Sequence, residues 1–331
     1  MDLQPEENQA FQQFSELFNL NTENSVLLNR SVGVVIEAVF EGKPVVIKIS
    51  SGAKNDSAFV SDQINWINYL SKNGVSVATF IASKNNNFIE CFQINNCYYL
   101  AFVNLKINLS DDNKINWDIS DNPFLVGKTM GKMHCLAKQR QNEYKYESLG
   151  NWDSAPWLKN PEQVFHSSQN ALFNSIHALY HELSTFKITQ DNYGLIHDDF
   201  HTGNIFRIND TITVLDFGCL QYNWYAQDIC SALIFRVWIS SDKYKLQDKV
   251  IPLLRDFIKG YSTENEFDND WLNMFPALLK ARELSLYFSF FGKEDINKNK
   301  LNDFGLFVFA SIKNGSPFLN IDYSSNLEEK V

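Results

Sequence analysis

Residues 195–206, LIHDDFHTGNIF, crowd His197, Asp198, Asp199, His201 and Asn204 between apolar ends. A second stretch, ITVLDFGCL at 212–220, is an apolar run that ends in Asp216-Phe217-Gly218. Two chemistries need such residues. His197, Asp199 and His201 alternate, so on a strand they would share one face and could hold a metal for hydrolysis. Phosphoryl transfer needs something different: one carboxylate beside the acceptor hydroxyl, and an Asn and an Asp as hard oxygen ligands for Mg²⁺. The hydrolytic reading leaves Asn204 and Asp216 without a task, and phosphoryl transfer uses both.

The spacing supports the second chemistry. A protein-kinase catalytic loop reads His-x-Asp with Asn five residues after the Asp, followed by a separate Asp-Phe-Gly. His197, Asp199, Asn204 and Asp216-Phe217-Gly218 reproduce that order. The spacing to Asn204 selects Asp199 over Asp198 as the working carboxylate. Upstream, VVIKIS at 45–50 matches a Val-Ala-Ile-Lys strand, with Lys48 as the phosphate-binding lysine.

These residues require elements to position them. Residues 5–19 carry Phe11, Phe14, Leu17 and Phe18 at helical spacing. The β-branched run 25–50 is broken at Glu41-Gly42-Lys43, which predicts antiparallel strands with a hairpin at Gly42. A helix follows, with Val60, Ile64, Ile67 and Leu70 on one stripe and Gly74 as its C-cap. More strands with Asn-rich turns run to about residue 105. Beyond that the pattern is helical, beginning at Pro123 with Asp121 or Asn122 as N-cap. A long helix is expected over 160–186, strand and loop over 195–218, and long helices from 226 to 312. The polar tail after Pro317 is expected to be loosely held. The predicted fold is α+β and bilobal, with a β-rich N-terminal lobe at 1–104 and a helical C-terminal lobe at 105–331.

Composition bounds the function. The 331 residues carry a net charge of −10, which argues against a nucleic-acid binder. The acidity serves solubility or a cationic small-molecule partner. Five cysteines without a CxxC pair argue against a disulfide framework or zinc knuckle and fit a reducing cytoplasm. No apolar run approaches the roughly 20 residues of a membrane span, and the N-terminus has no apolar signal-peptide segment.

The loop LIHDDFHTGNIF resembles the His-Gly-Asp-x-His-x-x-Asn loop of the aminoglycoside phosphotransferase and choline kinase superfamily. The resemblance spans about residues 20–295. It includes GKTMGKMHCLA (Gly127, Gly131, His134), CLQYNWYAQDICSALIF with Asp228, and FPALLKARELSLYF, which is similar to a late helix of the bacterial branch that includes the stress-response Ser/Thr kinase. It implies an ATP- and Mg²⁺-dependent kinase acting on a hydroxyl of a small molecule. Asp199 would be the base or hydroxyl-orienting residue, and Asn204 and Asp216 the metal ligands. His197 would hold the loop through backbone contacts, and His201 would sit beside the phosphate or metal ligands. Asp228 would accept hydrogen bonds from the loop backbone. AFVNLK at 101–106 would be the adenine-binding hinge, with Val103 and Leu105.

Three positions depart from the family pattern. Asp198 stands where the family has Gly or another small residue, and is expected to point to solvent. Gln63 stands where a Glu should pair with Lys48; it is expected to face inward, and Asp62 points about 100° away around the helix. No GxGxxG occurs, and the phosphate-covering turn is placed at Asn29–Gly33. A protein Ser/Thr kinase and a non-catalytic nucleotide-binding pseudokinase are the alternatives. The acceptor and the oligomeric state are not legible in the sequence.

Overall fold

The fold is a computed structural model that describes residues 2–31, 33–52, 56–107, 122–239, 247–298, 301–317, 319–320 and 323. The chain forms two compact units. One comprises Met1–Lys114, Tyr146–Ser148 and Thr213–Leu215, and the other Ile115–Lys145, Leu149–Ile212 and Asp216–Val331.

The first unit opens with α1 (Pro5–Leu17), followed by β1 (Asn21–Ser31), β2 (Gly33–Phe40), β3 (Lys43–Gly52), α2 (Asp56–Lys72), β4 (Ser76–Val77), β5 (Phe80–Ile81), β6 (Ile89–Ile94) and β7 (Cys97–Leu105). An antiparallel sheet runs β1-β2-β3-β7-β5, with β6 also paired to β7. The β2–β3 hairpin closes at Phe40 and Lys43, and Glu41 and Gly42 both have positive φ (49° and 76°). That is the type I′ geometry whose twist matches the strands. β2 and β3 alternate buried and half-buried residues, and Val34, Ile36, Val45, Ile47 and Ile49 line the core. Phe11, Phe14 and Phe18 of α1 close the same core. On α2 the buried stripe is Ile64, Trp66, Ile67 and Leu70, with Val60 and Gln63 half-buried at its border. Gly74 follows α2 at φ 81°.

The second unit contains α3 (Pro123–Arg140), α4 (Pro156–Lys159), α5 (Pro161–Val164), α6 (Phe173–Ser184), β8 (Tyr193–Ile196), β9 (Ile205–Ile208), β10 (Thr211–Val214, whose last two residues belong to the first unit), β11 (Gln221–Trp224), α7 (Tyr225–Ile239), α8 (Gln247–Tyr261), α9 (Phe275–Phe291) and α10 (Asp303–Asn314). Asn122 caps α3, its side chain accepting from Leu125 N, and Pro123 takes the first helical position. Asp121 lies outside the described residues. The single helix expected over 160–186 is broken into α5, a 3₁₀ turn at Ser167–Leu172 and α6. Pro156 and Pro161 each start a short helix because proline lacks the N–H that a helix interior needs. Most of the tail beyond Pro317 lies outside the described residues, but Leu319 and Tyr323 are buried and the Tyr323 ring packs on Phe275. That part is packed rather than loose.

Candidate active site

β8 ends at Ile196, and the loop that follows is not a strand. His197, Asp199 and His201 therefore share no strand face. His197 is fully buried, with its ring against Phe200 and Phe217 and its Nδ1 accepting from Asp199 N at 3.2 Å. Among the described residues no group of three His, Cys, Asp or Glu side chains is placed to hold a metal ion. The metallohydrolase reading has no geometric basis.

The loop is held from behind by a buried chain of polar groups. Added Cβ atoms on Gly127 and Gly131 of α3 would lie 2.0 and 2.5 Å from the Phe257 and Tyr261 carbonyl oxygens of α8. Glycine at these positions permits that approach. It brings Tyr261 Oη to 2.9 Å from His134 Nδ1, while His134 Nε2 lies 3.1 Å from Asp228 Oδ2. Asp228, four residues into α7, accepts from His197 N at 3.0 Å and Asp198 N at 2.7 Å. Burial pushes the His134 pKa down, so the ring is neutral. It would donate through Nε2 to Asp228 and accept the Tyr261 hydroxyl proton at Nδ1. Burial works to raise Asp228, but His134 and His197 together, through hydrogen bonds and charge, outweigh it and hold the carboxyl below the usual range.

Asp199 is the half-exposed member of the adjacent pair. Its Oδ2 accepts from Asn204 Nδ2 at 2.9 Å and lies 3.4 Å from His201 Nε2. Its Oδ1 accepts from Arg282 Nη2 at 2.6 Å. Burial works to raise its pKa, but His201 and Arg282 prevail and lower it to about 2. Asp199 is a carboxylate at neutral pH. His201 Nδ1 accepts from Gly203 N, which turns Nε2 toward Asp199.

Asp198 does not point to solvent. It is 9% exposed and adopts φ 56°. This is a left-handed conformation natural to glycine, which Asp tolerates better than most residues. Gln221 Nε2 donates to its Oδ2 at 2.6 Å and Ser231 Oγ to its Oδ1 at 3.0 Å. β11 pairs antiparallel with β8, setting Gln221 opposite Ile196. Desolvation raises the Asp198 pKa to about 6 against the opposing charge of Arg282.

Asn204 spends its amide nitrogen on Asp199 Oδ2 and the Asp199 carbonyl, which leaves its carbonyl oxygen for a cation. Asp216 sits past the end of β10 at φ 52° with an exposed carboxylate, and Oδ1 accepts from Gly218 N at 3.2 Å. Phe217 packs on His197 with ring centroids 4.7 Å apart. A neutral amide oxygen and a carboxylate are donors that suit a hard divalent ion.

In the β-rich unit, Lys48 lies on β3 opposite Val35 and Phe102. It forms no hydrogen bond or ion pair with a described residue, so Gln63 does not hold it. Asp62 is engaged with Ser148, accepting from its N at 3.1 Å and from its hydroxyl. Val103 is fully buried between Ile47 and Ile81 in the sheet, and Leu105 N donates to the Thr79 carbonyl. The phosphate-covering turn is expected at Asn29–Gly33, but Asn29, Arg30 and Ser31 lie within β1, paired with Val35, Val34 and Gly33 of β2, and residue 32 lies outside the described residues.

Sequence reasoning missed Arg282, Gln221 and Ser231. Arg282 carried a signal: α9 is apolar on most sides, and an Arg among Leu278, Leu279, Ala281 and Leu286 must find buried partners.

A β-rich unit with a strand lysine and a helical unit with this loop and an Asp-Phe-Gly define a protein-kinase-like phosphotransferase. The chain belongs to the phosphotransferase enzyme family, whose model matches residues 37–272, and it is a kinase with an alcohol group as acceptor. It is similar to amicoumacin kinase of Bacillus subtilis (strain 168), at 27% identity over 96% of both chains. A solved structure of amicoumacin kinase hAmiN with AMP-PNP, Ca²⁺ and Ami superposes with TM-score 0.86 at 25% identity, covering 96% of each chain. A microcompartment-associated aminopropanol kinase shares the fold, with TM-score 0.66 at 17% identity over 97% of this chain and 98% of its own. Among the described residues no helix is long and apolar enough to cross a membrane.

Proposed function

We propose that this chain is an ATP- and Mg²⁺-dependent cytoplasmic kinase that phosphorylates a hydroxyl of a small molecule of the amicoumacin type. The observation that carries this reading is Asp199, a half-exposed carboxylate fixed at both oxygens beside Asn204. Likeness to amicoumacin kinase along 96% of both chains supports the acceptor class.

Asp199 accepts the hydrogen bond of the acceptor hydroxyl and orients its oxygen. With a pKa of about 2 it is a weak base, so its main contribution is positioning. This suits a loose transition state in which the hydroxyl proton leaves late. The Asn204 carbonyl oxygen and the Asp216 carboxylate would hold the divalent cation. When bound, that ion supplies positive charge to the phosphoryl oxygens. His197 and Asp228 hold the loop backbone so that Asp199 keeps its place. Lys48 contributes a cation to the nucleotide phosphates. Adenine is read near Leu105 at the end of β7, whose N–H is committed to Thr79 and whose carbonyl accepts from Asn104 Nδ2 and keeps a second lone pair for the base. Val103, inside the sheet, supports that edge rather than touching the base.

The test is ADP release with amicoumacin as first acceptor, followed by amino alcohols and aminoglycosides. Asp199→Asn should lower kcat by about 100- to 10,000-fold while nucleotide binding persists. Near-full turnover by the Asn variant would remove Asp199 from the mechanism. Label from ATP entering protein rather than small molecules would move the assignment to a protein kinase.

A further inference from the structure

Arg282 has no counterpart in the roles assigned so far. It is 4% exposed, its Nη2 donates to Asp199 Oδ1 at 2.6 Å, and its Nη1 lies 4.0 Å from Asp198 Oδ2. A buried guanidinium must be paired, and here two adjacent carboxylates share it. The two are not equivalent. Asp198 is fastened at every polar point described: Oδ2 by Gln221, Oδ1 by Ser231, and its backbone N–H to Asp228. Asp199 has a side chain 24% exposed, and its Oδ2 is held by Asn204. Arg282 therefore joins an immobile carboxylate to the one that meets solvent.

We propose that Arg282 is a positioning residue for phosphoryl transfer: it fixes the Asp199 carboxylate, and Asp198 is the buried anchor that fixes Arg282. This rests on Asp199 being the carboxylate that meets the acceptor hydroxyl. It also gives the unusual Asp198 a task. A guanidinium fork needs a second anion to keep its orientation when the first must stay available to substrate.

The test is a double-mutant cycle on the full chain with ATP and amicoumacin. Arg282→Gln should lower kcat by about 100-fold, the scale of loss for a misplaced catalytic group, with the KM for ATP within about twofold. In an Asp199→Asn background the same substitution should cost nothing further, because its effect passes through Asp199. Gln221→Leu loosens the Asp198 anchor without removing a charge and serves if Arg282→Gln fails to fold. It should lower kcat with unchanged KM, again with no effect beside Asp199→Asn. Losses that multiply with Asp199→Asn, or that fall on KM alone, overturn the proposal. If the wild type does not turn over amicoumacin, the acceptor assignment fails by itself. A crystal structure of either variant then decides: a carboxylate displaced from Asn204 Nδ2 supports the positioning role, and an unmoved one overturns it.

Discussion

The backbone turns through φ 56° at Asp198 and sends two consecutive carboxylates into different surroundings. Asp199, half-exposed, is held at about 2 by His201 and Arg282 against the effect of its burial, while desolvation lifts Asp198 to about 6. The raised value has a sign that can be measured. A carboxyl whose folded pKa exceeds its unfolded value stabilises the fold below the unfolded pKa, and that contribution is lost as pH rises through the folded pKa. For Asp198 the window runs from the ordinary aspartate value of 3.8 to about 6. Denaturant unfolding of the wild type and of Asp198→Asn between pH 3.5 and 7 should show the wild type losing on the order of 3 kcal/mol relative to the variant. A constant difference across that window would mean that the carboxyl is not desolvated as the geometry requires.

At the scale of elements, the loop depends on how closely α3 meets α8. An added Cβ on Gly131 would lie 2.5 Å from the Tyr261 carbonyl, so Gly131→Ala must push the helices apart and draw Tyr261 from His134. The expected cost is about 1–3 kcal/mol, read as a fall of several degrees in Tm, with kcat falling as the loop loosens. A variant as stable and active as the wild type would show that the loop does not depend on this packing. The same scale explains which elements were legible beforehand. The Gly42 hairpin and the Asn122-Pro123 start of α3 are encoded by local backbone chemistry, and the residues themselves announce them. The helix expected over 160–186 starts at Pro161 but breaks at Phe165, whose backbone is extended (φ −78°, ψ 150°), a break that apolar spacing does not record.

Across the whole molecule the proposed roles fall to different units, and this can be tested through Lys48. It makes no hydrogen bond or ion pair with a described residue, so Lys48→Met should leave stability within about 0.5 kcal/mol while raising the KM for ATP and lowering kcat. Thermal melts and ADP-release kinetics check both halves, and unchanged kinetics would remove Lys48 from the nucleotide site. Cation removal gives a second test: chelation with EDTA should abolish transfer, and Asp216→Asn should raise the Mg²⁺ concentration needed for half-maximal rate. An unshifted Mg²⁺ midpoint would discount Asp216 as a ligand. The sequence alone determined the α+β class, the strand bearing Lys48 and the meeting of Asp199 with Asn204, because a five-residue step closes a local turn whose side chains must meet. Only the tertiary structure decided the burial of Asp198 and the pairing of Arg282 with Asp199, whereas the bonds from the loop backbone to Asp228 are those the family resemblance implied. Arg282 lies 83 residues from Asp199 along the chain. Contacts of that range are made when helices pack to bury apolar surface and must pair the charges they carry inward, and no local spacing records which charges those will be.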